Sequence, residues 1–193
     1  MVVDDMVVGH FEEKWRNNAG KVVHVAQREE LSTVLRDLAE TSHASEQHPI
    51  VVSVGSEEWG QWVRTEDTKW VYIWNEDANP EEFRQHCARA SMGVSACVWA
   101  AADVGSIGLY SQKDNSLLPS LLPPIHVVIV PVSHIVPTFR EGMSKLYQDA
   151  QDTGIWPGLV KIVAGPSMTA DIEGQLILGV HGPRNVYAVI VND

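Results

Sequence analysis

The chain has 193 residues, 45% of them apolar and 20% charged, with a formal net charge of −11. That length supports one well-buried domain over 1–193, and the composition is that of a globular chain rather than a disordered one. The acidic balance excludes a nucleic-acid binder, which needs clustered Lys and Arg against phosphates, but leaves room for a small anion held by local N–H donors. Two cysteines, Cys87 and Cys97, exclude a disulfide framework and are too few to ligate a four-thiolate iron–sulfur cluster. The first residues lack a basic and then apolar leader, and no apolar run reaches the roughly 18 to 20 residues that span a bilayer. A cytoplasmic location away from the membrane is expected.

In chain order, Val8, Phe11 and Trp15 recur at helical spacing, so a helix is predicted over 5–18 with Gly20 as its stop. It reads as an N-terminal helical extension over 1–20. A strand follows at 22–26, and Leu31, Val34, Leu35 and Leu38 mark one face of a helix over 29–41. The segments 50–54, 57–64 and 69–74 read as strand, short helix and strand. Asn79-Pro80-Glu81-Glu82 has the cap, first-turn proline and acid of a helix start, and that helix runs to about residue 90. Alternating strands and helices with short links argue for an α/β fold, a largely parallel sheet flanked by helices.

Between Ala90 and Phe139 the only Asp, Glu, Lys or Arg residues are Asp103, Lys113 and Asp114. This near-uncharged block reads as the buried centre of the sheet, with strands at 94–99, 106–110 and 126–131 around a Pro-punctuated loop at 115–124. A helix over 137–151, a strand over 159–164, a helix over 169–178 and a strand over 186–191 complete the pattern.

Candidate chemistry gathers at the last junctions, Gly165-Pro-Ser-Met-Thr-Ala-Asp-Ile-Glu173 and Gly179-Val-His-Gly-Pro183. Ser167 or Thr169 caps the helix expected at 169, and a strand–glycine turn–helix is an arrangement that binds anions. Asp171 and Glu173 in its first turns favour the helix dipole, yet repel an anion they face. His181, between two glycines, suits acid–base work or a carboxylate, and equally suits a hydrogen-bonded surface loop. Asp103, among small residues, is either a buried carboxylate of raised pKa or a turn residue bonded to backbone N–H groups. His126 and His134 flank the following strand and either face the same crevice or close the strand ends. His24, His43, His48 and His86 are scattered without ligand spacing, so no metal site is expected. Trp59, Trp62, Trp70 and Trp74 mark a core or a partner surface.

The Gly165 to Glu173 and Gly179 to Pro183 motifs resemble the C-terminal signature of the LUD-domain family, in its lactate-utilisation C branch. Leu118-Pro-Ser-Leu-Leu-Pro-Pro124, His126-Val-Val-Ile-Val130 and Ile135-Val-Pro-Thr138 with Arg140 are similar to its central block. The resemblance covers about 92–193 and is weaker before it. It implies an α/β fold like that of the sugar-phosphate isomerase and CoA-transferase group. It also implies a part in oxidising L-lactate to pyruvate beside partner subunits that carry iron–sulfur clusters, with none in this chain. The family usually has a Glu-Thr-Gly-Thr-like run where Asp103-Val-Gly-Ser106 stands here, and often an Arg where Met168 stands.

In the leading reading, Asp103, His181 and Asp171 form the catalytic set and Gly165, Ser167, Thr169, Glu173, Gly182 and His126 bind a small carboxylate. All would converge at the C-terminal ends of the strands. The alternatives are a transferase or isomerase acting on a small acyl or phosphorylated ligand, and a non-catalytic assembly subunit docking through 59–74.

Overall fold

The computed structural model describes residues 4–54, 70–170, 176–179 and 181–193. Six strands form its main sheet: β1 (Lys21–Val25), β2 (Ile50–Ser53), β3 (Val71–Ile73), β4 (Met92–Ala96), β7 (Ile125–Pro131) and β12 (Asn185–Val191). They lie in the order β1-β12-β7-β4-β2-β3, and every pairing is parallel. A parallel sheet is covered on both faces, which explains why β2, β7 and β12 are nearly unbroken Val and Ile.

Helix α2 (Leu31–Thr41) covers one face. Its Leu31, Leu35 and Ala39, four residues apart, join Val52, Val94, Val127, Ile129 and Val189 in one core. On the other face, Phe11 and Trp15 of helix α1 (Asp5–Asn17) are fully buried against a core that includes Val128, Val130, Ala188 and Ile190. The same face meets a second sheet, β8-β5-β6-β9, built from β5 (Trp99–Ala101), β6 (Ser106–Ser111), β8 (Ile135–Val136) and β9 (Leu159–Val163). Helix α3 (Pro80–Arg89) begins as its sequence predicts, with the Asn79 side chain accepting from the N–H groups of Glu81 and Glu82. Helix α4 (Phe139–Thr153) covers the outside of the second sheet. There Trp99 lies so close to Gly108 and Gly142 that a Cβ on either would run into the indole. No helix among the described residues is long and apolar enough to cross a membrane.

Two expectations are corrected. The strand expected at 94–99 is two strands in two sheets, β4 and β5. Cys97 N–H donates to the Ile129 carbonyl and Val98 N–H to that of Gly108, so the chain changes sheets within two residues. The helix expected at 169–178 is a hairpin, with β10 (Met168–Ala170) antiparallel to β11 (Leu176–Leu178). Gly165 and Gly179 both have positive φ, and Gly179 N–H donates to the Ser167 carbonyl at the hairpin's foot. A Gly-Pro-Ser turn opens a hairpin as readily as a helix. The helix expected at 57–64, with Trp59 and Trp62, lies outside the described residues.

Candidate functional site

Two residues, Asn18 and Ser167, tie the glycine motifs to one another and to the turn after Asp103. Asn18, just past α1, donates its amide to the carbonyls of Val104 (3.1 Å) and Gly105 (3.3 Å). The Asn18 carbonyl lies where a side chain on Gly165 would be, and Gly165 has φ 97°. Only glycine satisfies both the close approach and the left-handed backbone. Ser167 is the second tie. Its N–H donates to the Pro183 carbonyl (3.0 Å) and its hydroxyl to the His181 carbonyl (2.7 Å). Gly182, next to Ser167, faces the Leu121 carbonyl. The turn after Asp103, the Gly165–Ser167 segment, the His181–Gly182 loop and the loop before β7 therefore meet at one end of the fold.

That end is not the expected one. His181 and Gly182 immediately precede β12, and Leu121 precedes β7, so these loops sit at the N-terminal ends of the parallel strands rather than the C-terminal ends. The difference follows from Gly165, which comes off the second sheet after β9, and from the hairpin that carries the chain back to β12.

Asp103 is exposed, not buried. The small residues before it form buried β5, and the turn then emerges at the surface. Its Oδ1 accepts from Phe139 N–H at 2.9 Å, while the Thr138 hydroxyl accepts from Glu141 N–H, so two side chains cap α4. Thr169 stands exposed in β10, where the N–H groups of a helix start are replaced by a strand ladder, and the expected helix-terminus anion site is not formed. Asp171 and Glu173 lie outside the described residues. The His181 imidazole is at an exposed position.

His126 is fully buried between the two sheets. Its Nε2 is 3.2 Å from Ser95 Oγ, and its Nδ1 has no partner. Burial, with the nearby Lys161 charge acting the same way, pushes the imidazole pKa down to about 3, so the ring is neutral. Lys161 of β9 points inward on the same strand face as buried Val163. Its Nζ donates to the Ser120 carbonyl at 2.5 Å and to Ser120 Oγ at 3.0 Å, and burial lowers its pKa to about 8. Ser120 ends the short 3-10 turn Leu118–Ser120, whose Pro119 carbonyl abuts Gly93 of β4. Ser120 is one residue from Leu121 and so from the Gly182 junction. Asn18, Ser95, Ser120 and Lys161 are absent from the sequence-derived site. Only Lys161 left a signal there, as a charge two residues from an apolar core position in a strand.

Two clefts of the described surface lie away from these residues. One of about 150 Å³ runs between α4 and the second sheet beside Tyr110 and Leu146, and one of about 170 Å³ beside Tyr72 and His86. The two cysteines do not fit cluster ligation. Both are buried in separate cores, and desolvation pushes the Cys87 thiol up to about 12 and Cys97 higher still, against the thiolate form that ligates metal. No group of three His, Cys, Asp or Glu able to hold a metal ion occurs among the described residues.

The model of the LUD domain family matches residues 8–191, which include both glycine motifs. The chain belongs to the LUD domain family. It is similar to a lactate utilization protein C of an Exiguobacterium strain, 33% identical over 163 residues, covering 84% of this chain and 68% of the relative. Similarity extends to proteins of the same name from Macrococcus caseolyticus (34% over 123 residues, 64% of this chain and 53% of the relative) and Bacillus subtilis (32%, 64% and 51%). The matched stretch spans about half the length of those two relatives. Among solved structures, a DUF162 family protein from Deinococcus radiodurans matches with a TM-score of 0.66 over 97% of both chains at 20% identity. That likeness bears out the α/β fold with its parallel sheet flanked by helices.

Proposed function

We propose that this LUD-domain chain acts in lactate utilisation as a C-type subunit of an assembly that oxidises L-lactate to pyruvate. The observation that carries the reading is the similarity to lactate utilization protein C across most of the chain. It is supported by the way Ser167 and His181, one from each glycine motif, lock together beside an exposed imidazole. Oxidation of L-lactate removes two electrons and two protons and turns the hydroxyl carbon into a carbonyl. The electrons would go to iron–sulfur clusters held by partner subunits, because the two thiols of this chain are buried and protonated and so unsuited to ligation. His181 receives the hydroxyl proton and Asp103 the proton of the broken C–H bond, whose two electrons leave for the acceptor; Asp171 is the remaining carboxylate of the catalytic set in this reading. Gly165, Ser167, Thr169 and Gly182 shape the loop around the substrate, and Glu173 is a further binding residue of this reading. The transferase or isomerase alternative loses its main support with the helix terminus at 169.

The test is reconstitution with candidate cysteine-rich iron–sulfur proteins from the same organism. Lactate-dependent reduction of an artificial acceptor should require the chain and fall at least ten-fold with His181→Ala. An unchanged rate without the chain would overturn the proposal. A non-catalytic assembly role is the second reading, favoured by the exposed group Tyr147, Ile155, Trp156 and Leu159 on and after α4. It predicts that Trp156→Ser lowers the rate while His181→Ala does not.

A further inference from the structure

The segment Gly154-Ile-Trp-Pro-Gly158, between α4 and β9, holds an indole out in solvent. Gly154 closes the helix with φ 70°, and Pro157 disfavours a helical backbone at Trp156. Both ends of the segment are pinned. Ile155 N–H donates to the Thr153 hydroxyl oxygen at 3.3 Å, and Gly158 N–H to the Ser111 carbonyl at 3.0 Å. Trp156 is 57% exposed and Tyr147 of α4 is 54% exposed, and their rings meet edge to face at 5.3 Å. Ile155 and Leu159 are exposed on either side of Trp156 in the chain. Large apolar side chains held together in water by a pinned loop mark an interaction surface.

The cleft of about 150 Å³ opens at the same place. Ile155 and Pro157, the chain neighbours of Trp156, and Leu146, the neighbour of Tyr147, are among its apolar walls. Tyr110, Gln112, Asp149 and Thr153 bring oxygen acceptors to it. The volume is below the roughly 300 to 1,000 Å³ of a site for a drug-sized ligand, and suits one long side chain. The charges around it are negative. Asp149 and Asp152 stand towards the C-terminal end of α4, where the helix dipole is itself negative and the last turn has no basic residue. Burial, and then the charges of Asp114 and Asp149, raise the pKa of the Tyr110 hydroxyl. Lys145 meets Asp149 at 3.6 Å between exposed side chains, and such a pair is weak enough to give way to a better partner.

We propose that this face docks a partner protein through one arginine, with its guanidinium at Asp149, its stem along Leu146 and Ile155, and the Tyr147–Trp156 pair packed against the apolar residues around it. A guanidinium carries five N–H donors in a fixed fork. That matches a carboxylate bordered by the Gln112, Thr153 and Tyr110 oxygens better than a lysine ammonium does, and its plane stacks on aromatic rings. A second copy of this chain fits the seat less well, because each copy has a net charge of −11. That the partner is another subunit of the lactate assembly rests on the functional reading above; the cationic anchor rests on the cleft.

The test is NMR titration of the 15N-labelled whole chain with a short capped peptide that carries one arginine between leucines, and with the same peptide carrying citrulline, which has the shape of arginine without its charge. The arginine peptide should shift amides of residues 146–158 saturably by millimolar concentration, and the citrulline peptide should bind at least about five-fold more weakly. Asp149→Asn should weaken binding of the arginine peptide by a similar factor and bring the two peptides level. Trp156→Ala should weaken both without lowering the melting temperature, since the indole is exposed. No saturable shift, equal binding of the two peptides by the unsubstituted chain, shifts confined to other surfaces, or unaltered binding by Asp149→Asn overturns the proposal. So does dimerisation that Trp156→Ala abolishes, which gives the face to a second copy. The seat and the subunit role fail separately. Arginine-specific binding weakened by Trp156→Ala with an unaltered reconstituted lactate rate keeps the seat and removes the subunit assignment. A rate lowered by Trp156→Ala without arginine-specific binding does the reverse.

Discussion

The Ser167 hydroxyl donates to the carbonyl of His181 at 2.7 Å, joining residues 14 apart in the chain. The bond fixes the direction in which the backbone leaves the hairpin and therefore where the His181 imidazole is presented. Ser167→Ala should cost about 1 kcal/mol in urea unfolding, the worth of one hydrogen bond. The reconstituted lactate rate should fall by more than that loss of stability accounts for, and equal losses would mean that the loop position does not matter.

His126 sets an acid limit on stability. Its folded pKa is lowered to about 3 from an ordinary 6.5. Between those values the unfolded chain binds a proton that the folded chain refuses, so stability is complete above about 6.5 and falls as pH drops towards 3. At pH 4.5 the loss should be on the order of 2 kcal/mol relative to pH 7. Denaturant midpoints at the two pH values check this, and His126→Gln should remove most of the difference.

Gly93 and Gly9 make a contrasting pair. A Cβ on Gly93 would enter the Pro119 carbonyl, whereas one on Gly9 would meet nothing within 4 Å. Gly93→Ala should destabilise by about 1 to 3 kcal/mol and displace the turn that carries Ser120. Gly9→Ala, in an exposed helix interior, should stabilise by up to about 1 kcal/mol. Thermal melts separate the two, and a neutral Gly93→Ala would contradict the packing described.

Asp103→Ala should cost about 1 kcal/mol through the lost cap on α4. Asp103→Asn keeps an acceptor oxygen and should recover most of that stability. Comparing the lactate rates of the two variants asks whether the charge matters beyond the cap. A rate retained by Asn and lost with Ala assigns Asp103 to positioning.

The thiols should resist a disulfide reagent in the folded chain, Cys97 more than Cys87, since both are buried and held protonated. Full labelling should appear only with denaturant. Fast labelling of the native chain would contradict their burial.

The parallel sheet was legible because its strands are apolar on both faces, as at residues 50–53, 125–131 and 185–191, and α3 because Asn79 and Pro80 are unambiguous starting chemistry. The sheet change at Cys97 and Val98 was not. Both segments are apolar and buried, and only the hydrogen-bond partners differ. The paired strands β10 and β11 read as a helix in the sequence because capping residues after a glycine turn serve either structure. The shared end of the fold was half legible. The motifs pointed to Gly165, Ser167 and His181, but the residue between Gly105 and Gly165 is Asn18, whose side-chain amide reaches the Val104 carbonyl 86 residues on and whose backbone carbonyl faces Gly165. Lys161 does not stand out in the sequence, because a lysine in a strand is ordinarily solvated, and its inward direction emerges only from the register with Leu109.

The strand order has a consequence for synthesis. β12 lies between β1 and β7, so the first strand of the main sheet has no neighbour in that sheet until residues 185–191 have been made. On a ribosome α1 and β1 emerge well before residues 185–191, with Phe11 and Trp15 unburied in the meantime. A nascent chain stalled before residue 185 should hold β2, β4 and β7 as a partial sheet and leave its N-terminal segment open to chaperones.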